Sequence, residues 1–196
     1  MSAAPEPTIP DLPPYSMDVQ AMDLGSSTKA VGLELIETES REPLRGPQAA
    51  QIWSVTFPAL ANNEPLVLDF FSHLECVREF CKNHKIEFRE SASRCLVVPQ
   101  PSVAQLRELL ERFESETFGL RVSPTATQED TPLESELSHR GVDAYQNAYA
   151  RYTFCAIADP SDGWLTLLSD ALWPSEIIRR VRPALQPFDV YIARPQ

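Results

Sequence analysis

The residue types able to do chemistry gather in four places along this chain. The first is His73-x2-Cys76-x4-Cys81-x2-His84, which holds the imidazole and thiol ligands that zinc uses. Continuous helix would set His73 and His84 about 16 Å apart along its axis, too far for ligands that must converge on one ion. Turning ~100° per residue from Val67 puts Cys81 inside the apolar stripe and Cys76 opposite it, so one is a core thiol and the other a surface thiol. His73, Cys76, Cys81 and His84 are therefore weak metal candidates, and no metal or other cofactor is expected.

The second place is Arg179, Arg180 and Arg182, the one basic cluster in an acidic protein. Guanidinium forks suit carboxylate or phosphate partners, but three arginines in a last helical turn also complement the helix dipole. Tyr145, Tyr149 and Tyr152, with Trp164 and Trp173, form the third. Protein interfaces favour these residue types, although the tyrosines fall on a stripe that a helix buries against its own sheet. Tyr145, Tyr149, Trp164 and Trp173 are carried forward as interface candidates. The fourth is the carboxylate pair of Asp159-Pro160-Ser161-Asp162-Gly163, whose composition is also that of a hairpin turn. His139 lies at a helix start, where a cap or surface role satisfies it. No G-x-S-x-G or H-E-x-x-H motif occurs, and six glycines leave little material for a phosphate loop. No complete catalytic set is present.

The elements that would position these groups follow from the hydrophobic period. Residues 1–14 hold five prolines and two acidic residues without an apolar run and read as a disordered proline-rich tail. Across 15–50, Tyr15 to Leu24 and Lys29 to Thr38 alternate loosely around Gly25-Ser26-Ser27, which predicts a ribbon of paired strands. Gln51 to Phe57 is β-branched and aromatic and reads as the first core strand, ended by Pro58. From Pro65 to about His84 the apolar residues Val67, Phe70, Phe71, Leu74, Val77 and Cys81 recur at helical spacing. Ile86 to Arg89 and Cys95 to Val98 predict a hairpin. Ser102 and Gln105 form a capping box that opens a helix, Gly119 ends it, and Leu120 to Val122 follows as a strand.

Residues 51–123 thus read β-α-β-β-α-β, the order of a ferredoxin-like unit within an α+β fold. An acidic linker spans 124–138. Residues 139–196 read α-β-β-α-β, a related unit lacking its first strand: a helix through Tyr152, a hairpin turning at 159–163, a helix with Pro174 in its first turn, and a strand over Phe188 to Ala193. An N-terminal ribbon strand is available to supply the missing one. Both units are expected as antiparallel sheets covered by helices.

With 28 acidic against 17 basic residues the chain carries a net charge of −11, so nucleic acid is disfavoured as a partner. Apolar runs are too short to span a bilayer, and the opening residues carry no basic, apolar leader pattern. The expected location is the cytoplasm, with cysteines as free thiols. These features favour a non-catalytic, acidic, regulatory protein-interaction module whose partner has a basic surface, with a homodimer among the assemblies allowed. The alternative is a small-anion sensor built on Arg179, Arg180 and Arg182.

Overall fold

The computed structural model describes residues 13–23, 29–90, 96–122, 152–169 and 172–193. The tail read over residues 1–14 lies outside these but for its last two residues, and the linker of 124–138 and the positions of Tyr145 and Tyr149 lie wholly outside them. β1 (Tyr15–Asp23) and β2 (Lys29–Glu37) pair antiparallel from Tyr15 opposite Glu37 to Asp23 opposite Lys29. The alternation expected in β2 places Val31, Leu33 and Leu35 on its buried side.

α1 (Gly46–Ala61) occupies the stretch that reads as a first core strand, which is a correction. Pro58 lies inside this helix rather than ending a strand, and Asn62, in the left-handed region, closes it by donating its N–H to the Pro58 carbonyl. The misreading has a physical cause. α1 lies in the middle of the helix layer, packed on the sheet and against helices on both flanks, so Ile52, Trp53, Ser54, Thr56 and Phe57 are all buried. A helix enclosed this widely loses the narrow apolar stripe that identifies a half-exposed one.

The run from Pro65 to His84 is likewise two elements, β3 (Leu66–Phe70) and α2 (Leu74–Asn83), rather than one helix. β3 is buried at all five positions, on both faces, so it shows neither alternation nor a stripe. β4 (Arg89–Glu90) and β5 (Leu96–Pro99) form the expected hairpin. α3 (Val103–Arg112) opens with the expected capping box, both halves of which are made: Gln105 N–H donates to the Ser102 hydroxyl, and Ser102 N–H donates to the Gln105 side chain. β6 (Phe118–Val122) includes Gly119 as a strand residue. β7 (Phe154–Asp159) and β8 (Trp164–Leu168) turn at 160–163 with Gly163 at positive φ, as read. Tyr152 leads into β7 in non-helical backbone instead of ending a helix. α4 (Pro174–Leu185) has its proline in the first turn, and β9 (Val190–Ala193) closes the fold.

The nine strands among the described residues belong to one sheet, in the order β4-β5-β3-β6-β7-β8-β2-β1-β9. Neighbours are antiparallel except β1 and β9, which are parallel. The fold is therefore mixed α and β, but the strand order is not a simple ferredoxin-like one. The N-terminal ribbon does join the C-terminal strands, with β2 on β8 and β1 on β9.

The four helices among the described residues cover one face. Their buried residues, including Trp53, Val77, Leu106, Ile177 and Val181, share a core with Met17, Leu33, Leu68, Phe118, Ala156 and Leu165 of the strands. A chain of ring contacts ties this layer together, from Trp53 on Phe57 through Phe118, Phe70 and Phe113 to Phe80, with centroids 5.4–6.3 Å apart. The alternate strand residues point to the opposite face, called here the far face.

Candidate interaction surface

Two kinds of environment divide the far face. Over β3 and β6 it is closed: Val67, Asp69, Val97, Arg121 and Cys155 have no exposed surface. Asp69 and Arg121 make a two-pronged ion pair here, with Nη2 donating to Oδ1 at 2.7 Å and Nε 2.7 Å from Oδ2. Burial by itself would lower the pKa of the guanidinium. The Asp69 charge and hydrogen bonding, joined by a hydrogen bond to the Tyr152 hydroxyl, outweigh that and raise it above the ordinary arginine value. The sequence reading passed over this pair. Its signal is present in the sequence, as one acid inside LVLDF and one base inside FGLRV, each isolated in an apolar run.

Over β8, β2, β1 and β9 the far face is partly open to solvent. The strand registers there line up Asp159, Trp164, Glu34, Asp18 and Ala193 as successive cross-strand neighbours. The six-membered ring of Trp164 packs closely on Gly32. A Cβ on that glycine would stand 2.6 Å from Cζ2 of the indole, so the close approach needs a residue without a side chain. The indole N–H donates to the Thr166 hydroxyl at 2.9 Å, which fixes the ring. Asp159 accepts hydrogen bonds from the Ser161 hydroxyl at 2.9 Å and, more weakly, from Thr117 at 3.5 Å. Glu34 and Asp18 are directly opposite each other, a repulsive arrangement. Arg41 pairs with Asp18 at 3.1 Å, whereas Glu34 makes no ion pair among the described residues.

The sheet ends at β9. Val190 and Ile192 turn toward the helix layer and Tyr191 toward the far face, where it is 53% exposed. A groove runs along this edge, bounded by Pro13, by Arg182 of α4, by Gln186 just beyond that helix, and by Asp189, Val190, Tyr191 and Ile192. At the opposite end, β4 is two residues long and both are charged, with Glu90 held by Arg78 at 2.7–2.8 Å.

The residues singled out in the sequence fall as follows. Glu176 sits between Arg179 and Arg180, which donate to it at 2.7–2.9 Å and hold its carboxyl down at about 2. Arg180 also donates to the Leu60 carbonyl at 2.6 Å, tying α4 to the last turn of α1. Arg182 faces the β9 groove and has no ion pair among the described residues. The three arginines therefore do not act as one cluster. Trp164 lies on the far face and Trp173 stands exposed just before α4.

His73 and His84 cap opposite ends of α2, each with its own glutamate. His73 Nδ1 is 2.5 Å from Glu116, and His84 Nδ1 is 2.9 Å from Glu108 while its ring stacks on Phe80. Glu116 also accepts from the Ser72 hydroxyl, and these two bonds, that from Ser72 first, hold its carboxyl below the usual range. His73 adopts a left-handed backbone (φ 47°). Cys76 is exposed and Cys81 buried, where loss of solvation pushes its thiol up to about 11. Among the described residues no three His, Cys, Asp or Glu side chains could hold one ion. No described helix is long and apolar enough to cross a membrane.

No family model matches this chain, and neither the curated proteins nor the solved structures contain a match to it.

Proposed function

We propose that this chain is a non-catalytic, regulatory protein-interaction module of the cytoplasm that docks a partner with a basic surface on the open part of its far face. The observation that carries the reading is Trp164, packed closely on Gly32 with Glu34 and Asp159 as its two cross-strand neighbours. An indole held in place and flanked by two carboxylates, neither of which makes an ion pair among the described residues, is suited to the side chains of arginine and lysine. A net charge of −11 adds attraction at longer range.

The test is capture from a lysate of the source cells, with the wild-type chain and a Glu34→Lys/Asp159→Lys variant of unchanged circular dichroism. The reading expects partners that are retained at low salt, released as ionic strength rises, and lost from the variant. Identical recovery by both chains would overturn it.

The small-anion alternative has less to stand on, because Glu176 already occupies Arg179 and Arg180. It would show as a raised melting temperature with inorganic phosphate or simple carboxylates. The order β4-β5-β3-β6 over the β-α-β-β-α-β stretch of 66–122 supports reading that stretch as a ferredoxin-like unit set into a larger sheet. Such units serve unrelated activities, so this carries no functional weight.

A further inference from the structure

We infer that β9 takes up an extended segment of the partner in which aliphatic residues alternate with arginine or lysine. This rests on the interaction-module reading and specifies how the partner is held. β9 reads Val-Tyr-Ile-Ala, with no charge and no proline, and it is the last strand of the sheet. Its four residues thus carry neither of two devices that blunt strand edges, a charge or a proline, and every second residue turns its N–H and C=O outward. A strand added along it would sit about 4.8 Å away and send its side chains alternately to the two faces of the sheet.

The two sides differ in what they accept. On the helix side an incoming side chain meets Val190 and Ile192, with Arg182 of α4 and the following Gln186 as the wall. Arg182 has no ion pair among the described residues and repels a cation on that side, while the apolar floor suits an aliphatic group. On the far side the incoming side chain lies beside the exposed Tyr191 ring, within the ~6 Å over which a cation is attracted to an aromatic face. Asp18 follows on the next strand and Glu34 on the one after. Charge thus sorts the alternation, with aliphatic residues inward and basic residues outward. A second copy of this chain fits less well, because its own β9 offers no cation and brings a further −11 of charge.

The experiment measures fluorescence anisotropy of the full-length chain with four labelled octapeptides: alternating Val-Arg, the same residues in two blocks, alternating Val-Glu, and alternating Val-Arg with every second amide N-methylated. Alternating Val-Arg should bind about tenfold or more tightly than each of the others, a difference of about 1.4 kcal/mol or more. Binding should weaken with Tyr191→Ala, and Arg182→Glu should narrow the gap between the alternating and block peptides. Hydrogen exchange should show protection of amides within 190–193 on binding. Equal binding of alternating and block peptides, or indifference to N-methylation, would overturn the inference. So would a concentration-dependent dimer whose 190–193 amides are protected without peptide. If the peptides fail while the wild-type chain still captures partners that the Glu34→Lys/Asp159→Lys variant loses, strand addition falls and the module reading stands. If neither is seen, both fall.

Discussion

The same face of the same sheet carries carboxylates in two settings, and the chain treats them in opposite ways. Over β3 and β6, Asp69 has no exposed surface and is met from the adjacent strand by a two-pronged arginine. Over β2 and β1, Glu34 and Asp18 retain some access to solvent and face each other across the ladder, with Arg41 on only one of them. Desolvation accounts for the difference. An ion taken out of water costs several kcal/mol unless a counterion and hydrogen bonds replace the lost solvent, so the closed region must carry its own cation. A partly hydrated pair of acids loses only about 0.2–1 kcal/mol to repulsion, which the fold tolerates. What remains, among the described residues, is a Glu34 carboxylate with no ion pair beside an Asp18 carboxylate that has one.

The contrast breaks most visibly at Arg121. Arg121→Leu leaves Asp69 buried without its counterion and should destabilise the chain by about 3–5 kcal/mol in urea unfolding. Removing both charges, Asp69→Leu with Arg121→Leu, should recover most of that loss. Arg41→Leu removes the corresponding pair of the open region, where the arginine is 63% exposed, and should cost at most about 1 kcal/mol. Equal costs for Arg121→Leu and Arg41→Leu would show that the two regions are not electrostatically distinct. The next effect in size is at Gly32. A methyl group there meets the indole at 2.6 and 2.9 Å and the Met22 sulfur at 3.1 Å, so Gly32→Ala should lift the Trp164 ring. The expected loss is about 1–3 kcal/mol, with a red shift of tryptophan emission as the ring gains solvent.

How much of this was legible in the sequence depends on how many sides of an element are covered. β2, α3, α4 and the β7–β8 hairpin each keep one polar side or carry local chemistry of their own and read as the elements they are, although of the three arginines only Arg182 lies in the last turn of α4. α1 and β3 are enclosed on nearly all sides and were exchanged, the helix being read as a strand and the strand as part of a helix. Pro58 strengthened the error, since a proline inside a helix is uncommon. The site was less legible than the fold. Trp164 was singled out, but its neighbours Glu34 and Asp159 come from strands distant in the chain, and only the register of the sheet brings them together. Arg179 and Arg180 stood out by composition, and their local partner Glu176 lies only three and four residues away, as a helix allows.

The two smallest effects test the open region itself. Glu34→Gln removes the acid opposite Asp18 and should raise stability by a few tenths of a kcal/mol while weakening partner capture. A loss of stability would mean that Glu34 serves the fold rather than a partner. The last effect concerns α4, which walls the β9 groove and is tied to α1 through Glu176 and Arg180. The Glu176 carboxyl is held at about 2 in the folded chain, by Arg179 first and Arg180 second, below its value in the unfolded chain. A depressed carboxyl stabilises the fold above the unfolded value, about 4.3, and that contribution disappears as pH falls toward 2. Solvent screening keeps it small. In parallel acid titrations, wild type should therefore exceed Glu176→Gln in melting temperature at pH 6, and the two should converge near pH 2. A gap that persists at that pH would mean that the Glu176 side chain holds α4 by packing and not by charge.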